Sequence, residues 1–184
     1  MNILISGVGG QGALLTAKII GAAAMAKGYD VKVSEIHGMS QRGGSVETYV
    51  RYGKEPISSP IIDKGCADIV LGFEALEALR AISFLKKTGK MIMNTQQINP
   101  MPVIIGKAEY PENIPSKLED MGVNILAVDV GKSKTANVTM LGVISELLKE
   151  LDLKSAIKEC VKTEFLDINI KAFEEGKQLG TILE

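Results

Sequence analysis

Two glycine-bearing stretches hold the residues best suited to chemistry. Gly7-Val8-Gly9-Gly10-Gln11-Gly12 satisfies G-x-G-x-x-G, and Glu35 lies about where an acidic residue would hold a ribose. Glycines here let the backbone approach a phosphate, with the N–H groups of a following helix facing it. The alternative is a tight turn that permits close helix–sheet packing. The second stretch is His37-Gly38-Met39-Ser40-Gln41-Arg42-Gly43-Gly44-Ser45, with the only histidine, an arginine and three glycines. Arg42 could clamp a phosphate or carboxylate. It could equally pair with a surface carboxylate, leaving His37 to satisfy backbone groups. With no second histidine, the pattern does not build a metal site.

The elements that must position these loops follow from periodicity. Residues 2–6 form an apolar run stopped by glycine, which predicts a buried strand, and residues 11–27 have helical spacing up to a stop at Gly28. Residues 31–36 read as a second strand, completing a βαβ opening. Residues 45–52 then alternate, with Val46, Thr48, Val50 and Tyr52 on one face and Ser45, Glu47, Tyr49 and Arg51 on the other. Residues 37–44 alone separate this strand from the previous one. A mononucleotide-binding half needs a third parallel strand reached through a crossover of about a dozen residues or more. A hairpin-like return with an antiparallel partner fits better, and a dinucleotide site becomes the minor reading.

Further on, residues 54–65 read as an irregular connection, 67–71 as a strand, 74–87 as a helix and 89–95 as a strand. Residues 99–102 suggest a turn, 103–105 a short edge strand, 116–121 a brief helix and 123–130 a strand. Helices are expected over 138–151, 155–162 and 167–179, with Ile157, Val161 and Phe165, spaced by four, in the core. The expected architecture is one domain over residues 1–184, of class α/β. It is a three-layer α/β/α sandwich on a mostly parallel mixed sheet, with a Rossmann-like opening but not a full dinucleotide-binding fold.

Composition narrows the function. A net charge of −1 and the absence of tryptophan argue against a nucleic-acid partner. No apolar run reaches membrane-spanning length and the start lacks a leader pattern, so a cytoplasmic chain is expected. Two distant cysteines, Cys66 and Cys160, cannot hold a four-cysteine iron–sulfur cluster.

Residues 34–46, Ser-Glu-Ile-His-Gly-Met-Ser-Gln-Arg-Gly-Gly-Ser-Val, resemble a block of indolepyruvate:ferredoxin oxidoreductase beta subunits. The Arg-Gly-Gly core is similar, more distantly, to gamma subunits of pyruvate and 2-oxoglutarate:ferredoxin oxidoreductases. The loop at Gly7–Gly12, residues 68–80 and the Asn137-to-Gly142 segment resemble further blocks of that family, in the same order. The resemblance implies a small subunit supporting coenzyme A-dependent oxidative decarboxylation of an aryl pyruvate, with electrons passed to ferredoxin. It implies a catalytic alpha subunit that carries thiamine diphosphate, magnesium and iron–sulfur clusters, none of them bound by this chain. Coenzyme A would be the co-substrate. A pyruvate or 2-oxoglutarate enzyme, a stand-alone NAD-binding protein and a nucleotide-sensing scaffold are the alternatives. Isolated, the chain would be inactive and would expose its partner surface as an apolar patch or bury it in a homodimer. The residues expected at the shared site are Gly7, Gly9, Gly10, Gln11, Gly12, His37, Gly38, Ser40, Gln41, Arg42, Gly43, Gly44 and Asn137.

Overall fold

Six strands form one open sheet in the computed structural model, which describes residues 1–38 and 43–181. They are β1 (Asn2–Val8), β2 (Asp30–His37), β3 (Ser45–Gly53), β4 (Ala67–Gly72), β5 (Leu85–Asn94) and β6 (Ile125–Val128), in the order β2-β3-β1-β4-β5-β6. β3 is antiparallel to both neighbours, while the β1–β4, β4–β5 and β5–β6 pairs are parallel. The short return after β2 therefore wedges an antiparallel strand between β1 and β2. A dinucleotide fold keeps those two strands side by side. This is the hairpin the spacing predicts.

Both faces of the sheet are covered. Helix α1 (Ala13–Ala26) packs with α5 (Ala136–Val143), α6 (Leu153–Cys160) and α7 (Leu166–Gly180) over Ile3, Ile5, Val50, Leu71 and Ile92. Helices α2 (Ala75–Arg80) and α4 (Ile114–Asp120) cover Leu4, Tyr49, Val70, Met91 and Met93 on the other face. Tyr49 and Val50 are adjacent in β3 and both buried, because β3 is an interior strand packed on both sides. No helix among the described residues is long and apolar enough to cross a membrane.

Several expected boundaries move. The predicted helix over 74–87 stops at Arg80. A 3-10 turn over Ala81–Phe84 leads directly into β5, whose start pairs Leu85 with Ala67 before a register shift. Residues 103–105 are not an edge strand. Met101–Ile104 form the short helix α3, because Pro102 suits a first helical turn and the Pro100 carbonyl accepts from the N–H groups of Val103 and Ile104. The helix expected to run to residue 151 stays regular only to Val143. Ser145 Oγ then donates to the Gly142 carbonyl at 2.7 Å, and the chain tightens into a 3-10 segment, Ile144–Leu148. Ile157 is buried, but α6 ends at Cys160, so Phe165 no longer shares its face and is 52% exposed.

Candidate functional site

β1 delivers Gly7 and Val8 to the carboxyl edge of the parallel strands, and the chain turns there into α1. Gln11 organises that turn. Its Oε1 accepts from the Val8 N–H at 2.7 Å, and its Nε2 donates to the Phe73 carbonyl at 3.1 Å and to Gln96 Oε1 at 3.4 Å. Gly7 leaves room for this side chain, since a Cβ at Gly7 would stand 2.8 Å from Gln11 Oε1. Gly12 precedes α1 at φ 85°, a left-handed conformation that favours glycine. A Cβ on Gly12 would also sit 2.7 Å from Asn137 Nδ2. Asn137, in the first turn of α5 and buried, donates to the Gly12 carbonyl at 3.4 Å.

The hairpin return meets this loop through two backbone bonds. The Gly9 N–H donates to the Gly44 carbonyl at 2.8 Å, and the Gly43 N–H to the Gly9 carbonyl at 3.4 Å. The two glycine stretches therefore meet, but not by following adjacent strands. β3 carries residues 43–45 back to β1, which β2 never touches. Ser40, Gln41 and Arg42 lie outside the described residues. His37 is exposed at the end of β2, opposite Val46, and Gly38 donates its N–H to the Ser45 carbonyl at 3.5 Å. Glu35 and His37 join Gly9, Gly10, Gly12 and Leu14 around a cleft of about 430 Å³.

Electrostatically, protein acceptors already occupy much of the cradle. The N–H groups of Val8, Gly9 and Gln11 bond to Gln11 Oε1, the Gly44 carbonyl and the Val8 carbonyl respectively. The N–H groups of the first turn of α1 precede the ladder, which the Thr16 N–H begins by bonding the Gly12 carbonyl, so they have no partner within the helix. A diphosphate would find the loop closed by Gln11. A single anion at the helix start would not.

Sequence reasoning missed the groups on the other side of Gln11. Asn94, at the end of β5, is 1% exposed. Its Nδ2 donates to the Phe73 carbonyl at 3.3 Å, and its Oδ1 accepts from the N–H groups of Gln96 and Val130 at 3.4 and 3.3 Å. Gln11, Gln96, Asn137, Lys132 and Lys134 line a second cleft of about 270 Å³. The run Gly131-Lys132-Ser133-Lys134-Thr135, between a strand and a helix, was the signal available for it. A third, more apolar cleft of about 530 Å³ lies between the glycine loop and Val161, Phe165 and Ile168.

Two buried glutamates also escaped notice. Glu74 accepts from the Glu77 N–H and the Ile98 N–H, each at 2.9 Å, and from the Tyr110 hydroxyl at 2.5 Å. Burial first, and then this carboxylate, push the Tyr110 phenol well above its ordinary range. Glu77 accepts from Ser45 Oγ at 2.5 Å and from Arg80 Nη1 at 2.6 Å. Among the described residues no group of three or more His, Cys, Asp or Glu could hold a metal ion, and both cysteines are free.

Fold and site together define an open α/β module with clefts around the glycine loop. Residues 2–179 match the model of the pyruvate ferredoxin/flavodoxin oxidoreductase family. An indolepyruvate oxidoreductase subunit IorB from Thermococcus kodakarensis is 41% identical, the match covering 95% of this chain and 93% of that one. The keto/oxoacid ferredoxin oxidoreductase gamma subunit of Geobacter sulfurreducens superposes with a TM-score of 0.70 at 22% identity, over 98% of each chain. A chain of the 2-oxoglutarate:ferredoxin oxidoreductase of Magnetococcus marinus, solved with 2-oxoglutarate, coenzyme A and succinyl-CoA bound, gives 0.71 at 20% identity. That match covers all of this chain but 31% of the other. The chain belongs to the pyruvate ferredoxin/flavodoxin oxidoreductase family.

Proposed function

We propose that this chain is the small subunit of a cytoplasmic 2-oxoacid:ferredoxin oxidoreductase of the indolepyruvate type. The observation that carries the reading is the near full-length, 41% identical relationship to an indolepyruvate oxidoreductase subunit. Its partner is a catalytic subunit bearing thiamine diphosphate, magnesium and iron–sulfur clusters, and ferredoxin is met through the complex. The donor set of the described residues does not fit an iron–sulfur cluster or a metal ion. Two cysteines fall short of a four-thiolate cluster, and the described residues offer no carboxylate–histidine group for a metal.

What the chain's own residues do is bind and orient. The carboxyl edge faces the catalytic subunit and the path of coenzyme A. The amides of the first turn of α1, the lysines at 132 and 134, and Arg42 supply positive potential for a phosphate-bearing co-substrate. Gly9, which lines the first cleft, is held by a backbone bond to Gly44. Exposed Met101, Ile104 and Ile105 on the β5–β6 connection support a partner surface on the same side.

The test is to purify the native complex and assay indolepyruvate, pyruvate and 2-oxoglutarate side by side. Preference for indolepyruvate is expected, and preference for either other acid would overturn the indolepyruvate assignment. In the same complex, Arg42→Ala should raise the KM for coenzyme A. Unchanged assembly with unchanged coenzyme A kinetics would remove Arg42 from the site.

A further inference from the structure

We infer that Glu77 is a positioning residue, which through Ser45 fixes the Gly43-Gly44 backbone against Gly9 and so places the Gly9 edge of the cleft proposed for coenzyme A. The inference rests on the functional reading above. Glu77 occupies the third position of α2, following a Glu74 N-cap whose carboxylate accepts from the Glu77 N–H. A glutamate at that position ordinarily returns to the amide of the capping residue. Here both oxygens point elsewhere, Oε2 to Ser45 Oγ at 2.5 Å and Oε1 to Arg80 Nη1 at 2.6 Å.

Burial makes the arrangement consequential. Glu77 is 5% exposed, so its charge needs both partners, and the one it takes from outside its own helix is the first residue of β3. The strand itself has little need of this bond. β3 is already held by seven paired positions along β1 and eight along β2. Ser45 lies at the outermost of those positions, opposite Val8, one residue from the Gly44 carbonyl that accepts from Gly9. A tether there changes where the loop backbone leaves the sheet more than whether the sheet forms. Arg80, partly exposed, balances the charge without crossing to another element.

The reconstituted complex tests this with three variants. Ser45→Ala removes the donor and keeps the Glu77–Arg80 pair. The KM for coenzyme A should rise at least about fivefold while kcat changes by less than about twofold, a split that general destabilisation would not give. Ser45→Thr restores the hydroxyl and should return KM to within about twofold of wild type. A Ser45→Ala enzyme with unchanged KM, or a threonine variant that fails to rescue, overturns the positioning role. Arg42→Ala is the control that separates the two claims. If it raises KM and Ser45→Ala does not, the positioning role alone is wrong. If neither variant moves KM, the coenzyme A reading falls with it.

Discussion

Replacing Gln11 tests whether one amide holds the glycine loop shut. Gln11→Ala leaves the Val8 N–H without the acceptor it has at 2.7 Å and takes from the Phe73 carbonyl a donor at 3.1 Å. The Phe73 carbonyl keeps Asn94 Nδ2 as a donor, so the Val8 N–H is the group left bare, at a cost of roughly 1 kcal/mol. For a chain of this length that is a fall in Tm of about 2–4 °C. Gln11→Glu is the sharper variant. One oxygen of the introduced carboxylate can still accept from Val8, but the other faces the Phe73 carbonyl and Gln96 Oε1, two acceptors. Its ionised form is disfavoured in the folded state, so its folded pKa is raised above the unfolded value of about 4.3. Between those two pKa values the folded state binds more protons than the unfolded state, and stability falls as pH rises. Each unit of separation adds about 1.4 kcal/mol to the loss at neutral pH, all of it recovered below the unfolded pKa. Thermal unfolding followed by circular dichroism, with wild type and both variants at about pH 8 and about pH 5, reads this directly. Gln11→Glu should be the less stable variant at the higher pH and gain on Gln11→Ala at the lower. A glutamate variant as stable as wild type at pH 8, or a gap that ignores pH, would refute the assignment of donors and acceptors around Gln11.

Tyr110→Phe removes a hydroxyl that donates to Glu74 at 2.5 Å and accepts from the Leu76 N–H at 3.0 Å, and should cost about 1–3 kcal/mol in denaturant unfolding. Gly176→Ala places a Cβ 1.9 Å from the Thr139 carbonyl oxygen, where α7 rests backbone to backbone on α5. Overpacking against rigid backbone should destabilise by about 3 kcal/mol, visible as a lower denaturation midpoint. Cys66 is exposed, whereas burial pushes the Cys160 thiol up. Alkylation at mildly alkaline pH, followed by peptide mass spectrometry, should modify Cys66 first.

The layered fold was legible because its strands are short apolar or alternating runs punctuated by glycine, and because eight residues are too few for a crossover. That count, with three glycines and no helical periodicity in the loop, predicted β3 as antiparallel, which the pairing of His37 with Val46 bears out. Strand order was not legible. Nothing in the local pattern of residues 45–53 says that they insert between β1 and β2, since insertion depends on which partner strands bury both faces of Tyr49 and Val50. Helix ends were misplaced where a side chain competes for the backbone, as Ser145 does, or where a proline starts a turn, as Pro102 does. At the site, Gly7, Gly12 and Asn137 stood out as residue types, but their common purpose did not. Gly7 makes room for Gln11 within the loop, and Gly12 for Asn137 across 125 residues of sequence. Asn94, Gln96 and Glu77 gave no signal at all, because a buried amide or carboxylate is recognisable only once its partners are in place.

The inserted hairpin is what separates this module from the nucleotide-binding folds its opening resembles. In a doubly wound sheet the crevice beside the first strand stays open because its neighbour leaves for the opposite side. Here β1 and β4 remain neighbours, but β3 enters on the other side of β1, and the Gly43-Gly44 backbone leading into it bonds to Gly9. Gln11 then takes the amide of Val8. The same glycine pattern that elsewhere admits a pyrophosphate is closed from one side by a strand and from within by an amide. What remains accessible is the rim, formed by the first turn of α1, the end of β2 and the lysine-bearing loop before α5. A rim is suited to gripping part of a ligand whose reactive end lies in another subunit. Under the function proposed above, the motif keeps its geometry while its role shifts from enclosing a cofactor to presenting an edge.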